Sequence, residues 1–190
     1  MINKFLTLCF ISMLSIFVGA CSSTQKISDN LVNLTAQQQI MLPEPSFNKE
    51  SSTQQLLTTI YKEKKHTLLV LLDIKKDSVK LTGLTPSSIT LFTLVYDKHG
   101  IEAKYEIPQA MLPPVKQVLL DILLAFDDNQ SFEKVLPQGY KIQINGTQKV
   151  LKDNFDKIIY TIEYSSMNNS LFANKIENLE FGYTIKIKYL

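Results

Sequence analysis

The sequence contains no arginine and no tryptophan, only two histidines and two cysteines, and six glycines in 190 residues. Each shortage excludes something. Because all 20 basic residues are lysine, the planar fork that reads phosphate or guanine in two places at once is missing. A formal net charge of +2 adds no field to steer a polyanion, so nucleic acid is not expected as a partner. Two cysteines, with His66 and His99 far apart in sequence, cannot supply a disulfide framework or a zinc site. Sparse glycine leaves no Gly-x-Gly-x-x-Gly turn or P-loop for a nucleotide, and no Gly-x-Ser-x-Gly elbow presents a nucleophilic serine. The two histidines read as surface residues, and the adjacent acids Asp127 and Asp128 as serving a loop at a helix end. No catalytic group, metal or cofactor is expected.

Long apolar runs are also missing after the first twenty residues. Met1 to Lys4 carries one positive charge, Phe5 to Phe17 is mostly apolar, and Val18-Gly19-Ala20-Cys21 follows at once. Thirteen helical residues span only ~20 Å, short of the ~30 Å hydrocarbon core of a bilayer, so this is an export signal rather than a permanent span. Gly19 and Ala20 before Cys21 resemble the bacterial lipobox, whose cysteine is acylated and becomes the first residue of the mature protein. A plain secretory signal would also place small residues here, but gives no reason for the cysteine or for the polar Ser22-Ser23-Thr24-Gln25 behind it. Several acyl chains anchor stably where one does not. By the sorting rule of enteric bacteria, Ser22 after the cysteine implies the outer membrane. Removal of residues 1–20 leaves nineteen lysines against eighteen acids, so attachment comes from lipid and not from a basic patch.

Three segments follow: the signal peptide 1–20, a lipidated cysteine with a flexible tether over 21–50, and a folded domain over 51–190. The tether is polar, is broken at Pro43-Glu44-Pro45, and is expected to hold at most one short helix near Leu31 to Ile40. From Gln54 onward, apolar and β-branched runs alternate with polar turn clusters, as in an antiparallel meander. Strands are expected near 54–61, 66–74, 78–84, 89–96 and 100–106, then near 140–144, 147–152, 156–165, 175–181 and 183–190. Asn145-Gly146 marks a tight hairpin turn. Between the two groups, apolar residues at 115, 118, 119, 122, 123 and 126 repeat as one helix face, with Pro114 at its start. Leu120 and Leu124 widen the stripe, so the helix should lie deep against something apolar. A second short helix is expected from Ser131 to Leu136. Ile158, Tyr160, Ile162 and Tyr164 are expected on one strand face, as are Tyr183, Ile185, Ile187 and Tyr189, whereas strand 89–96 reads as apolar on both faces.

The fold class is therefore α+β, mainly β: a strongly curved antiparallel sheet forming an unclosed barrel, with helices covering its mouth. Such a shape can hold an apolar cavity lined by Leu119, Ile122, Phe126, Tyr140, Tyr160, Ile162, Tyr164, Tyr183, Ile185 and Ile187. The alternative is a fully packed core, in which the tyrosines are ordinary strand residues and the helix is a fixed core element.

The order of features carries a resemblance. The lipobox comes first, then hairpins, then Leu81-Thr82-Gly83-Leu84-Thr85-Pro86 leading into Leu91-Phe92-Thr93-Leu94-Val95-Tyr96-Asp97. The segment from Ile107-Pro108 to Pro114 with its helix follows, then the Tyr160 to Tyr164 strand and a closing strand over Tyr183 to Leu190. Over most of residues 50–190 this resembles the LolA/LolB lipoprotein-carrier fold, and in particular uncharacterised outer-membrane lipoproteins related to LolB. The resemblance implies an unclosed barrel whose interior takes the acyl chains of a lipid or lipoprotein cargo; a periplasmic carrier protein is a candidate partner, with neither the donor nor the direction of transfer given by the sequence. It also implies a membrane-insertion loop at Leu84, Pro86 and Ile89. Such loops carry a leucine after the proline, whereas Ser87 and Ser88 stand here, so Leu84 or Ile89 would have to project instead.

The expected function is a non-enzymatic, outer-membrane-anchored lipoprotein facing the periplasm, held by acylated Cys21 and passing an acyl cargo to the membrane. Two other classes stay open. One is a structural or assembly lipoprotein that docks a protein partner through a sheet edge or outer face, which predicts a filled core. The other is a lipid hydrolase, which predicts product release from acyl esters.

Overall fold

A computed structural model describes residues 23–127, 130–167 and 170–190. Over half of these residues are strand, so the chain is mainly β. The strands are β1 (Ser23–Ile27), β2 (Leu31–Asn33), β3 (Gln39–Met41), β4 (Ser51–Tyr61), β5 (Lys64–Lys75), β6 (Ser78–Leu84) and β7 (Thr90–Asp97). They continue with β8 (Gly100–Tyr105), β9 (Lys141–Asn145), β10 (Gln148–Lys152), β11 (Ile158–Met167), β12 (Ser170–Asn178) and β13 (Tyr183–Tyr189). Helix α1 (Val115–Phe126) separates the two groups, followed by the single turn α2 (Gln130–Glu133), which stops short of the expected Leu136.

Eleven strands form one antiparallel sheet in the order β1-β8-β7-β6-β5-β4-β13-β12-β11-β10-β9, and β2-β3 form a separate hairpin. Short turns dictate this order, because neighbours joined by a few residues can only pair antiparallel. The sheet is not closed: β1 and β9 are its edges. Its curvature follows from α1. Val115 and Val118 line one crevice with Phe92 and Leu94 of β7, while the carbonyl of Ala125 accepts from the Tyr164 hydroxyl of β11 at 2.8 Å. Six inter-strand steps separate β7 from β11, ~29 Å along the sheet at ~4.8 Å per step. Twelve helical residues span only ~18 Å. A flat sheet could not touch both ends of so short a helix, so the sheet bends around α1.

Helix α1 buries Val115, Leu119, Leu120, Ile122, Leu123, Leu124 and Ala125. An apolar surface this wide fits a helix enclosed between the two arms of a bent sheet. The last carbonyls of a helix have no partner within it, and here other elements supply them. Lys149 of β10, itself buried, donates to the carbonyls of Leu124 at 2.8 Å and Asp127 at 3.1 Å. Its ammonium is the charge sign that the helix C-terminus favours.

The expected tether is corrected. Residues 23–27 pair with β8 from Ser23 opposite Tyr105 to Ile27 opposite Ile101. Val32, Leu34, Ile40, Leu42 and Phe47 are buried in the same core as α1. The short helix expected near Leu31 to Ile40 is the β2-β3 hairpin, in which only the central residue of each strand is buried. Three-residue strands alternate too briefly to be told from a polar tether. Buried Tyr96 of β7 lies with its hydroxyl 3.1 Å from the carbonyls of both Leu42 and Pro43, which pins this segment over the sheet.

Two face assignments also change. In β7, Phe92, Leu94 and Tyr96 are buried while Leu91, Thr93 and Val95 are half-buried, so it alternates rather than being covered equally on both sides. In β11, Ile158 is exposed whereas Ile159 is fully buried. The pairing with β10 skips Ile159, since Leu151 faces Tyr160 and Lys152 faces Ile158. This bulge turns Ile158 out of the face shared by Tyr160 and Ile162.

Candidate functional site

A lone acid stands inside the apolar run of α1, and the fold turns it inward. Asp121 is 4% exposed. The Tyr183 hydroxyl of β13 donates to its carboxyl, at 2.7 Å from Oδ1 and 3.0 Å from Oδ2. The Tyr160 hydroxyl of β11 stands 3.2 Å from Oδ1, and the two hydroxyls are 3.3 Å apart. Gln117, one turn earlier in the helix, donates to the Tyr160 hydroxyl at 2.6 Å, and Asn178 of β12 donates to that of Tyr183 at 3.2 Å. Three adjacent strands thus grip one helix through a connected polar cluster.

Burial pushes the Asp121 carboxyl up to about 7, against the pull of hydrogen bonds from Tyr183, Tyr160 and Gln117. Burial, then the adjacent Asp121, also raises the Tyr160 and Tyr183 hydroxyls well above the ordinary tyrosine value. Near neutral pH the cluster stands close to the point at which it gives up its proton. Enclosed as it is, it is suited to holding α1 rather than to attacking a substrate.

At its N-terminal end, α1 leaves a gap beside the sheet. Phe92, Leu94, Tyr105, Leu112, Pro113, Val115 and Val118 line an apolar crevice of about 10 Å³, roughly the space that one water needs. Gly83 of β6 makes room for the Phe92 ring, since a Cβ there would lie 2.3 Å from it. The Tyr105 hydroxyl is buried and has no hydrogen-bond partner among the described residues. An unpaired buried hydroxyl is costly, and this one belongs to a ring that lines the crevice.

The expected cavity residues do come together. Leu119, Ile122, Tyr160 and Ile162 are buried in one core, and Phe126, Tyr140, Tyr164, Ile185 and Ile187 pack half-buried against it, with Tyr183 joining through Asp121. Around α1 these side chains fill the space between helix and sheet. Of the expected insertion loop, Pro86 and Ile89 are exposed, Ile89 to 63%, but Leu84 ends β6 facing inward and does not project. Cys21 and Asp128 lie outside the described residues. Asp127 is buried and accepts from the Ser131 hydroxyl.

Residues 52–190 match the family model described as protein of unknown function, DUF3261. The chain belongs to that family. No curated protein matches it. The DUF3261 match starts one residue into β4 and contains Asp121, Tyr160, Tyr183, Tyr105 and the whole crevice lining. It leaves out β1, β2 and β3, although the fold builds all three onto the matched part. Reasoning from sequence passed over Asp121, Gln117, Tyr105, Lys149 and Asn178. For Asp121 the signal was present, a single acid within Val118-Leu119-Leu120-Asp121-Ile122-Leu123-Leu124. The others carry no such mark, because a polar side chain in a helix or strand reads as solvent-facing until the opposing layer is known.

Proposed function

We propose that this protein is a LolB-like, outer-membrane-anchored lipoprotein facing the periplasm, which takes up the acyl part of a lipid or lipoprotein on the concave face of its sheet and passes it to the membrane. One observation carries the reading: an unclosed, bent sheet holds a single apolar helix, and polar contacts clamp that helix at both its middle and its end. The hydrogen bonds that Asp121 accepts are directional, so they would return a displaced helix to one seating.

The packed arrangement is then the cargo-free state. An acyl chain replaces α1 rather than joining it, starting at the crevice under Val115 and Val118, where the Tyr105 hydroxyl is ready to donate to an ester or amide carbonyl. Burial of chain methylenes contributes up to about 0.8 kcal/mol each, and that gain offsets the apolar contacts that α1 gives up. Release follows when a bilayer offers the same chain more apolar contact. Lipid attachment at Cys21 would keep the domain at that bilayer, and a periplasmic carrier would deliver the cargo.

The test is native mass spectrometry with lipid extraction on residues 23–190 purified from the periplasm without detergent. A stoichiometric co-purified lipid is the expected result. A clean unliganded mass, with no displaceable binding of a fluorescent fatty acid, refutes the carrier reading. It would favour the second reading, a docking lipoprotein without cargo, which rests on the tight filling around α1.

A further inference from the structure

Apolar residues at the tips of turns need a reason, since nothing in the fold requires them there. The most exposed large apolar side chain among the described residues is Phe155, at 83%, in the turn between β10 and β11. That turn is rigid. The Asp153 carboxylate accepts from the backbone N–H groups of both Phe155 and Lys157 at 2.9 Å, and Asp156 pairs with Lys141 at 2.5 Å. Leu179, 53% exposed, lies in the next turn, between β12 and β13, and Lys157 with Glu180 joins the two turns at 2.9 Å. Tyr61, 46% exposed, lies beside them, because Tyr183 of β13 pairs with Tyr61 of β4. Its turn carries Lys62, Lys64 and Lys65 against Glu63 alone, and the Lys62 ammonium stands 5.2 Å from the Tyr61 ring.

These three turns leave the sheet at one end. Followed through β5, β6, β7 and β8, the register sets Ser23 of β1, opposite Tyr105, level with Gln55 of β4, so β1 has its N-terminus toward that end but begins six residues short of Tyr61. Cys21 is two residues ahead of Ser23, behind the apolar stretch Phe5 to Phe17. We propose that this rim is a membrane-contact surface, which seats the domain on a phospholipid bilayer through Phe155, Leu179 and Tyr61, with the lysines of the β4-β5 turn drawing it to anionic headgroups. Aromatic rings beside lysines suit the interface, where the ring meets acyl chains and the ammonium stays in water. A preorganised turn loses little entropy on insertion, and the basic turn adds an attraction that salt weakens. The inference rests on the anchoring half of the proposed function and is independent of its cargo half.

The absence of native tryptophan makes the test direct. Phe155→Trp in the full chain, reconstituted into vesicles containing phosphatidylethanolamine and phosphatidylglycerol, places the only indole at the rim. Expected are a shift of emission to shorter wavelength and quenching by lipids brominated high on the acyl chain. Ile144→Trp, at the end of β9 away from this rim, serves as the comparison and should show neither. Equal behaviour of the two probes, or no quenching at position 155, overturns the proposal. So does a concentration-dependent shift without vesicles, which would assign the rim to a second copy of the chain. Cargo binding is measured without vesicles, so failure there leaves these readings unaffected.

Discussion

Replacing Asp121 by asparagine separates a clamp that needs a proton from one that needs a charge. In the folded protein, burial raises this carboxyl from 3.8 to about 7. The folded state therefore holds the proton more tightly than the unfolded chain does. Stability from this source is fully present below pH ~4, falls as pH rises toward 7, and is level above that. Three pKa units correspond to about 4 kcal/mol, an upper bound on the loss between pH 4 and pH 8. The asparagine would present a neutral amide of similar shape, able to accept from Tyr183, with no proton to lose. Urea denaturation followed by circular dichroism from pH 5 to pH 8 should show a falling midpoint for the native chain and a flat one for Asp121→Asn. The variant should be the more stable of the two at pH 8. Two ion-paired carboxylates lie outside this window: Lys141 holds Asp156 below the usual carboxylate value, and Lys157 does the same for Glu180. Both therefore cost stability only as pH falls further. If Asp121→Asn loses more than about 1 kcal/mol at both ends of the range, with the pH slope of the native chain retained, the clamp works as a carboxylate and the argument fails.

Leu119, with no exposed surface, should tolerate no added bulk in the packed state, so Leu119→Trp should cost roughly 1–3 kcal/mol in a thermal melt; unchanged stability would mean that open space remains beside it. Tyr105→Phe removes an unpaired buried hydroxyl and should leave the unliganded protein unchanged or up to about 1–3 kcal/mol more stable. The same variant should retain acyl esters less well, as read by extraction and mass spectrometry. Lys149→Met removes the donor to the carbonyls of Leu124 and Asp127 and should cost about 1.5–3 kcal/mol. Hydrogen exchange should then speed up first at the C-terminal turn of α1.

Period and punctuation made most of the matched domain legible. All ten strands expected after residue 50 are present, most of them within three residues of their expected bounds, because apolar and β-branched runs there are separated by polar turn clusters. The helix over 115–126 was readable from its 3.6-residue repeat and its proline start. The N-terminal part was not, since β1 has little apolar content of its own and owes its place to the free edge of β8. Likewise Ile158 and Ile159 exchange roles through a bulge that neither residue signals locally.

Local chemistry thus settles which segments become strands and which becomes the helix, and where turns fall, since backbone preference and apolar spacing act over a few residues. It also settles what the chain lacks, from arginine forks to a nucleotide loop. How far the sheet bends, which polar groups meet across 40 or 60 residues, and whether the concave face is filled depend on distances between layers. Asp121 is a plain acid until Tyr160 and Tyr183 arrive from two strands and exclude water from it. Lys149 is a strand lysine until a helix end lies over it. Burial and dielectric belong to the assembled layers, so these groups acquire their properties only when the sheet bends around α1.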